Sequence, residues 1–239
     1  NINILINLLR NMERWNIKNF VQSSSCTVYG EPDILPISEI CPIKPALSPY
    51  GNTKQIAEEI LLDTSKVSDL QTVCLRYFNP IGAHESALIG EYPNGIPNNL
   101  LPFITQTAIG KREILNVFGN DYRTHDGTCI RDYIHVVDLA LSHIYALERL
   151  IEKKNKNNFE VFNIGTGIGY SVLDVIKSFE RTSNIKLNYQ IVDRRAGDVE
   201  KIWADTTLAN NELGWRAQRS LDEMTLSAWR WELYLNSEE

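Results

Sequence analysis

Asn19-Phe20-Val21-Gln22-Ser23-Ser24-Ser25 and, beyond a proline-rich loop over 31–49, Ser48-Pro49-Tyr50-Gly51-Asn52-Thr53-Lys54-Gln55 decide how this chain is read. The first is an apolar run that ends in hydroxyls, the pattern of a buried strand. The second opens a helix predicted over 50–67, and a further apolar run follows at 71–77. Strand, helix and strand in that order imply a parallel sheet covered by helices. Open sheets of this kind gather chemistry at the carboxyl ends of their strands, which is where Ser25 falls.

Tyr50 and Lys54 are four residues apart, so a helix puts them on one face with the ammonium near the phenol. A free phenol has a pKa of about 10, and a neighbouring positive charge lowers it toward the range of a general base. Tyr50 is therefore the candidate proton carrier. A Tyr-x-x-x-Lys spacing alone is also what an exposed helical pair looks like, and its context supplies the weight.

The alternation extends outward in both directions. An amphipathic helix over about 3–15, with Ile4, Leu5, Leu8, Leu9 and Met12 at helical spacing, precedes the first strand. Downstream come a loop at Pro93–Asn98, a helix from Asn99, strands at 114–118 and 130–136, a helix from Val137 to about Ile151 and a strand at 159–164. A helix at 171–182, a strand at 187–192 and helices near 206–213 and 220–235 complete the pattern. The net charge of −6 argues against nucleic acid as the main partner, because a phosphate-neutralising surface is basic. Cys26, Cys41, Cys74 and Cys129 show neither C-x-x-C spacing nor histidine-rich partners, so neither a zinc site nor a disulfide framework is expected, and a reducing cytoplasm fits. No apolar run approaches the roughly 18 residues of a membrane span.

Three further stretches bear on chemistry. Gly165-Thr166-Gly167-Ile168-Gly169 follows a strand, but its G-x-G-x-G spacing departs from the dinucleotide fingerprint, and Ser171 is placed to cap the next helix; a structural turn is the expectation. In Arg131-Asp132-Tyr133-Ile134-His135-Val136-Val137-Asp138 a strand sends alternate side chains to opposite faces, so these groups do not converge on one metal ion. Arg131 and Arg195 are candidates for a diphosphate, with surface ion pairing as the alternative.

Taken in order, Ser23-Ser24-Ser25-Cys26-Thr27-Val28-Tyr29-Gly30, Ser48 to Lys54, Leu75-Arg76-Tyr77-Phe78-Asn79-Pro80-Ile81-Gly82-Ala83-His84 and Gly95 to Pro102 resemble the extended short-chain dehydrogenase/reductase family, in its UDP-hexose 4-epimerase branch. The likeness continues through Asp126 to Val136, Asn163 to Gly167 and Arg194 to Asp198. It implies a Rossmann-type doubly wound parallel sheet, incomplete at the amino end, with a smaller carboxyl-terminal α/β substrate lobe. Residues 1–80 would be the later portion of the NAD-binding domain. Residues 81–239 would mostly form the UDP-sugar lobe, with segments around 130–165 returning to the first domain.

The resemblance also implies roles. NAD would be the cofactor and a UDP-hexose the substrate, with inversion at C4. Tyr50 would exchange the proton of the 4-hydroxyl, Ser25 would hydrogen-bond that oxygen and Lys54 would bind the nicotinamide ribose; Ser23, Ser24, Tyr77 and Phe78 would line the cofactor. Asn79, Asn99 and Leu100, Asn116 to Phe118 through Val117, Arg131, Arg195 and Asp198 would hold the UDP-sugar, and Ile202 would stand at the sugar-pocket wall. A homodimer, no metal, and no nucleic-acid or membrane partner are expected. The family's opening strand and G-x-x-G-x-x-G loop precede the part matched here, so the 239-residue chain alone is expected to be inactive and prone to aggregate at its exposed sheet edge. Two competing readings are a nucleotide-sugar 4,6-dehydratase and a non-catalytic UDP-sugar-binding remnant. The dehydratase chemistry needs an Asp-Glu pair after the strand-end threonine, and Ser25-Cys26-Thr27 leads into none.

Overall fold

Gln71-Thr72-Val73-Cys74-Leu75-Arg76-Tyr77 forms β2 (Gln71–Tyr77), and its five inner residues are all buried. A strand buried on both faces reads as a continuous run rather than an alternation, and it belongs at a sheet centre. β2 indeed lies between β1 (Asn19–Ser23) and β6 (Phe159–Ile164), both parallel to it, with Ser23 opposite Leu75 and Tyr77 opposite Ile164. This computed structural model describes residues 1–238. It divides into two units: one comprises 1–78, 140–165 and 204–216, the other 79–139, 166–203 and the chain from 217 onward.

In the first unit α1 (Ile2–Arg14) and α2 (Pro49–Val67) cover the sheet. Leu5 and Met12 of α1 pack with Ala57 and Leu61 of α2 and with Leu70 and Cys74. Ile4 and Leu8, which share the expected apolar stripe, stay exposed. β1 also departs from the expected buried strand: all five of its residues are half-buried. Among the described residues it has one strand neighbour, so one of its edges meets no ladder. After β1 the chain makes a 3-10 turn at Cys26–Tyr29, and Pro49 and the Ser48 hydroxyl start α2, the latter accepting from Gly51 N at 3.1 Å.

In the second unit β3 (Asn79–Ile81), β4 (Leu115–Phe118), β5 (Ile130–His135), β7 (Gly169–Ser171), β8 (Tyr189–Val192) and β9 (Lys201–Ile202) accompany α3 (Leu100–Ala108), α5 (Val172–Ser183) and α6 (Leu221–Glu238). β5 pairs with β3, β7 and β9, while β4 and β8 form a separate parallel pair. Ile104, Ile176, Phe179 and Met224 are fully enclosed in the core of this unit, and Phe179 meets Trp229 edge to face at 5.6 Å. Ser171 caps α5 reciprocally with Asp174. The remaining helix, α4, covers Val136–Ile151. The helix expected near 206–213 is a single π-type turn at Ala209–Leu213, ended by Gly214 at φ 71°. Among the described residues no helix is long and apolar enough to cross a membrane.

Candidate active site

Parallel pairing brings the carboxyl ends of β1 and β2 to one end of the first unit's sheet, with Ser23-Ser24-Ser25 and Tyr77-Phe78 together. The first turns of α2 lie against the serine segment. Lys54 Nζ donates to the Ser23 carbonyl oxygen at 2.7 Å and sits 5.4 Å from the centroid of the Tyr50 ring. Burial lowers the pKa of Lys54, opposed by the charge of Glu58. Tyr77 is pushed up to about 12, by burial first and then by the neighbouring Tyr50. Tyr50 itself remains nearly half exposed, at 45%. Ser25 is buried; its Oγ accepts from Thr27 N at 3.2 Å and Thr27 Oγ1 at 2.9 Å, which fixes it at the start of the 3-10 turn.

The structure places the other members of this group as follows. The Ser23 hydroxyl is hydrogen-bonded to His143 Nε2 at 2.7 Å, and the Ser24 hydroxyl turns inward to the Glu58 carboxylate. Phe78 is buried, and its N–H continues the ladder onto the Ile164 carbonyl oxygen.

The second unit holds a cavity of about 350 Å³. Asn79, Asn99, Leu100, Asn116, Phe118, Arg131, Arg195 and Asp198 all line it. Val117, whose side chain alternates inward along β4, is instead in the core of this unit. Ile202 lies opposite Arg131 on β9 and is outside the cavity lining. Asp198 organises the cations: its Oδ1 lies 2.7 Å from Arg195 Nη2 and 3.7 Å from Arg131 Nη2. The hydrogen bond from Arg195 to Asp198 raises the arginine's pKa. Two guanidiniums and one carboxylate leave a net positive charge, matched to an anion with more than one oxygen to offer.

Sequence reasoning missed Phe103, Arg112, Cys129 and Tyr133 in this lining. Arg112 stacks over Phe103 at 4.7 Å and donates to Gln106 Oε1 at 2.7 Å. No local pattern marks it, because α3 and β4 bring it to the cavity from opposite sides in sequence.

The turn at 165–169 is no phosphate cradle. Its donors are spent on Asp132: Thr166 N and Gly167 N donate to the two carboxylate oxygens at 2.8 and 3.0 Å. His135 faces Ser227 and Asp138 faces Arg219, so the polar groups of 131–138 diverge. A group the sequence reading did not single out, His125, Asp126 and Asp174, places its ligand atoms within 4.8 Å of one another. Its carboxylates serve the cap of α5, where Asp126 accepts from Thr128 and Ser171 and Asp174 accepts from Ser171 N.

Comparisons with known proteins agree with one another. Residues 1–227 match the family described as GDP-mannose 4,6 dehydratase. The chain is 53% identical over 226 residues to UDP-glucose 4-epimerase of Haemophilus influenzae and 54% identical over 227 residues to that of Drosophila melanogaster, in each case covering 94% of this chain. It spans 66% and 64% of the length of those two relatives. Among solved structures, UDP-glucose-4-epimerase from Stenotrophomonas maltophila with bound NAD and formylated UDP-arabinopyranose superposes with a TM-score of 0.96 at 44% identity, over 100% of this chain and 70% of that one. The Bifidobacterium longum enzyme in complex with NAD+ and UDP gives 0.91 at 44% identity, over 98% and 69%. By sequence and by fold, the chain belongs to the UDP-glucose 4-epimerase family of extended short-chain dehydrogenases/reductases.

Proposed function

We propose that the complete protein interconverts UDP-galactose and UDP-glucose through NAD-mediated oxidation and re-reduction at C4, with Tyr50 as the acid/base. The observation that carries this reading is the half-buried Lys54 ammonium beside the Tyr50 ring. The ammonium and the phenol share one face of α2, where a proton carrier and a supporting charge can act together. Ser25, fixed at the end of β1, is assigned to the sugar 4-oxygen.

NAD, when bound, supplies the hydride chemistry at C4. The donor set fits the nicotinamide-ribose end. Lys54 spends one N–H on Ser23 and keeps two for ribose hydroxyls, while Tyr77 offers aromatic surface and the buried Phe78 is assigned to support the nicotinamide site from behind. Tyr50 takes the proton of the 4-hydroxyl and returns it after the sugar presents its other face. Asn79, Asn99, Leu100, Asn116 and Phe118 are assigned to the UDP-sugar, with Val117 backing them from the core, Arg131 and Arg195 to its diphosphate, Asp198 to its ribose and Ile202 to the sugar-pocket wall. NAD and UDP in the neighbouring enzymes support these assignments.

A 4,6-dehydratase, although the matching family carries that description, needs a carboxyl pair after the strand end, and Cys26-Thr27-Val28 supplies none. We further place the protein in the cytoplasm, consistent with the absence of disulfides among the described residues, and as a homodimer. Exposed Ile4 and Leu8 on α1 and Ile56 and Leu62 on α2 support the dimer.

Conversion of UDP-galactose to UDP-glucose by the complete protein, beside a Tyr50→Phe variant, tests the assignment. Wild-type turnover that the variant lacks supports it. Binding of UDP-hexose without conversion by the wild type rejects it in favour of a binding protein.

A further inference from the structure

Tyr50, Lys54 and Glu58 recur every four residues along one face of α2, and the last of them is enclosed. Glu58 and Arg76 have only 5% and 6% of their side chains exposed, and Arg76 Nη2 meets Glu58 Oε2 at 2.6 Å. Arg76 Nε donates to both carboxylate oxygens at 3.0 and 3.2 Å, making the pair forked. The remaining acceptor capacity of Glu58 takes the Ser24 hydroxyl, at 2.5 Å. On its far side Arg76 Nη1 donates to Tyr29 Oη at 2.9 Å, and Tyr29 donates to Asn163 Oδ1 at 2.7 Å. Burying an ion pair is costly unless its polar atoms are matched, and here each nitrogen of the Arg76 guanidinium and each carboxylate oxygen of Glu58 has a partner.

Hydrophobic burial would hold α2 on the sheet without this network, as it does at Ala57 and Leu61. What apolar contacts do not fix is the axial position of a helix. Lys54 binds the carbonyl of Ser23, Glu58 binds the hydroxyl of Ser24, and Gln55 Nε2 donates to the Val28 carbonyl oxygen at 2.8 Å. Gly51 lets the first turn come close, since a Cβ there would meet the Thr27 carbonyl oxygen at 3.1 Å. α2 is therefore laced residue by residue to 23–28, the segment that carries Ser25. Glu58 is the one charged, buried anchor of the lacing.

We propose that Glu58, held by Arg76, is a positioning residue for proton transfer: through Ser24 it sets the axial register of the Tyr50–Lys54 face against Ser25. This inference rests on the epimerase reading and adds to it a residue that touches neither substrate nor cofactor. A register error of about 1 Å between reacting groups costs up to about a hundredfold in rate.

The test uses the complete enzyme and measures kcat and KM for UDP-galactose together with the melting temperature. Ser24→Ala cuts the link to Glu58 and leaves the ion pair intact. Its expected effect is a kcat lowered about tenfold or more, with KM and melting temperature near wild type. Glu58→Gln lowers kcat further, and Glu58→Asp recovers part of that loss because the charge on Arg76 is again matched. Values of kcat within about twofold of wild type in Ser24→Ala overturn the proposal, even if Glu58→Gln fails to fold. A proportionate fall in melting temperature with unchanged kcat assigns the network to stability alone and also overturns it. A wild type that binds UDP-hexose without converting it overturns the epimerase reading first, and this inference with it.

Discussion

Lys54 Nζ lies 5.4 Å from the centroid of the Tyr50 ring while its hydrogen bond to the Ser23 carbonyl oxygen, 2.7 Å long, holds it in place. The ammonium is thus fixed by backbone rather than by a carboxylate, so its charge is not cancelled where the phenol needs it. Lys54→Met is expected to lower kcat of the complete enzyme by about a hundredfold or more, because the positive charge beside the Tyr50 ring and the donors left for the ribose are lost together. Steady-state rates with UDP-galactose check this. A variant with wild-type kcat refutes the role given to Lys54.

His135 makes the stability of the fold depend on pH. Its Nδ1 accepts from Val137 N at 3.1 Å and its Nε2 faces Ser227 Oγ at 3.1 Å, while that oxygen also accepts from Ala83 N and donates to the Met224 carbonyl. Protonating Nδ1 would point a hydrogen at an N–H. Burial, then the charge of Arg219, lowers the pKa of His135 to about 4, with Asp138 and Glu223 opposing and His84 adding to the drop. The unfolded chain takes up this proton near pH 6.5 and the folded one only near 4, so the stabilisation is complete above about 6.5 and is lost as the pH falls through that window. The loss reaches about 3 kcal/mol. Melting temperatures of wild type and His135→Gln should converge as the pH falls from about 7 to about 4; parallel curves would mean that His135 titrates normally.

How much of this was legible in the chain depends on the range of each contact. The i, i+4 spacing of Tyr50 and Lys54 and the cap at Ser171 are local and were readable, as were the strands at 71–77 and 159–164. β3, β7 and β9 were not, because strands of two or three residues exist through pairing with β5 rather than through their own propensity. Glu58 was equally hidden. In sequence it is one more helical glutamate, Glu58-Glu59, and only the arrival of Arg76 from β2 and Ser24 from β1 makes it a buried anchor. Val117 was placed with the uridine by resemblance, yet alternation along β4 turns its side chain into the core.

Gly127 is constrained by both backbone and space. Its φ is 82°, and a Cβ there would stand 2.0 Å from the Asn120 carbonyl oxygen. The turn it closes joins Phe118 to Cys129, and both line the second unit's cavity. Gly127→Ala is expected to cost about 3 kcal/mol or more, since the left-handed strain and the clash add. Thermal unfolding shows the loss directly, and calorimetric titration with UDP should show weakened binding if the turn shapes the cavity. An unchanged melting temperature would mean that the turn relaxes freely.

Arg131 and Arg195 share Asp198 but differ in exposure: their side chains are 16% and 59% exposed. A guanidinium in an enclosed site loses less of its attraction to solvent screening than one at the rim, and removing it leaves a bound anion unmatched where water cannot replace the donor. Arg131→Met should therefore weaken UDP binding more than Arg195→Met, by about tenfold to a hundredfold against a few-fold, given 1.5–3 kcal/mol as a rough value for a charged hydrogen bond. Added salt should weaken wild-type and Arg131→Met binding by similar factors, while Arg195→Met loses part of its salt sensitivity. Asp198→Asn separates charge from geometry, because the side chain stays isosteric while the cavity gains one positive charge. Tighter UDP binding in that variant would identify Asp198 mainly as a counter-charge, whereas weaker binding supports its assignment to the ribose.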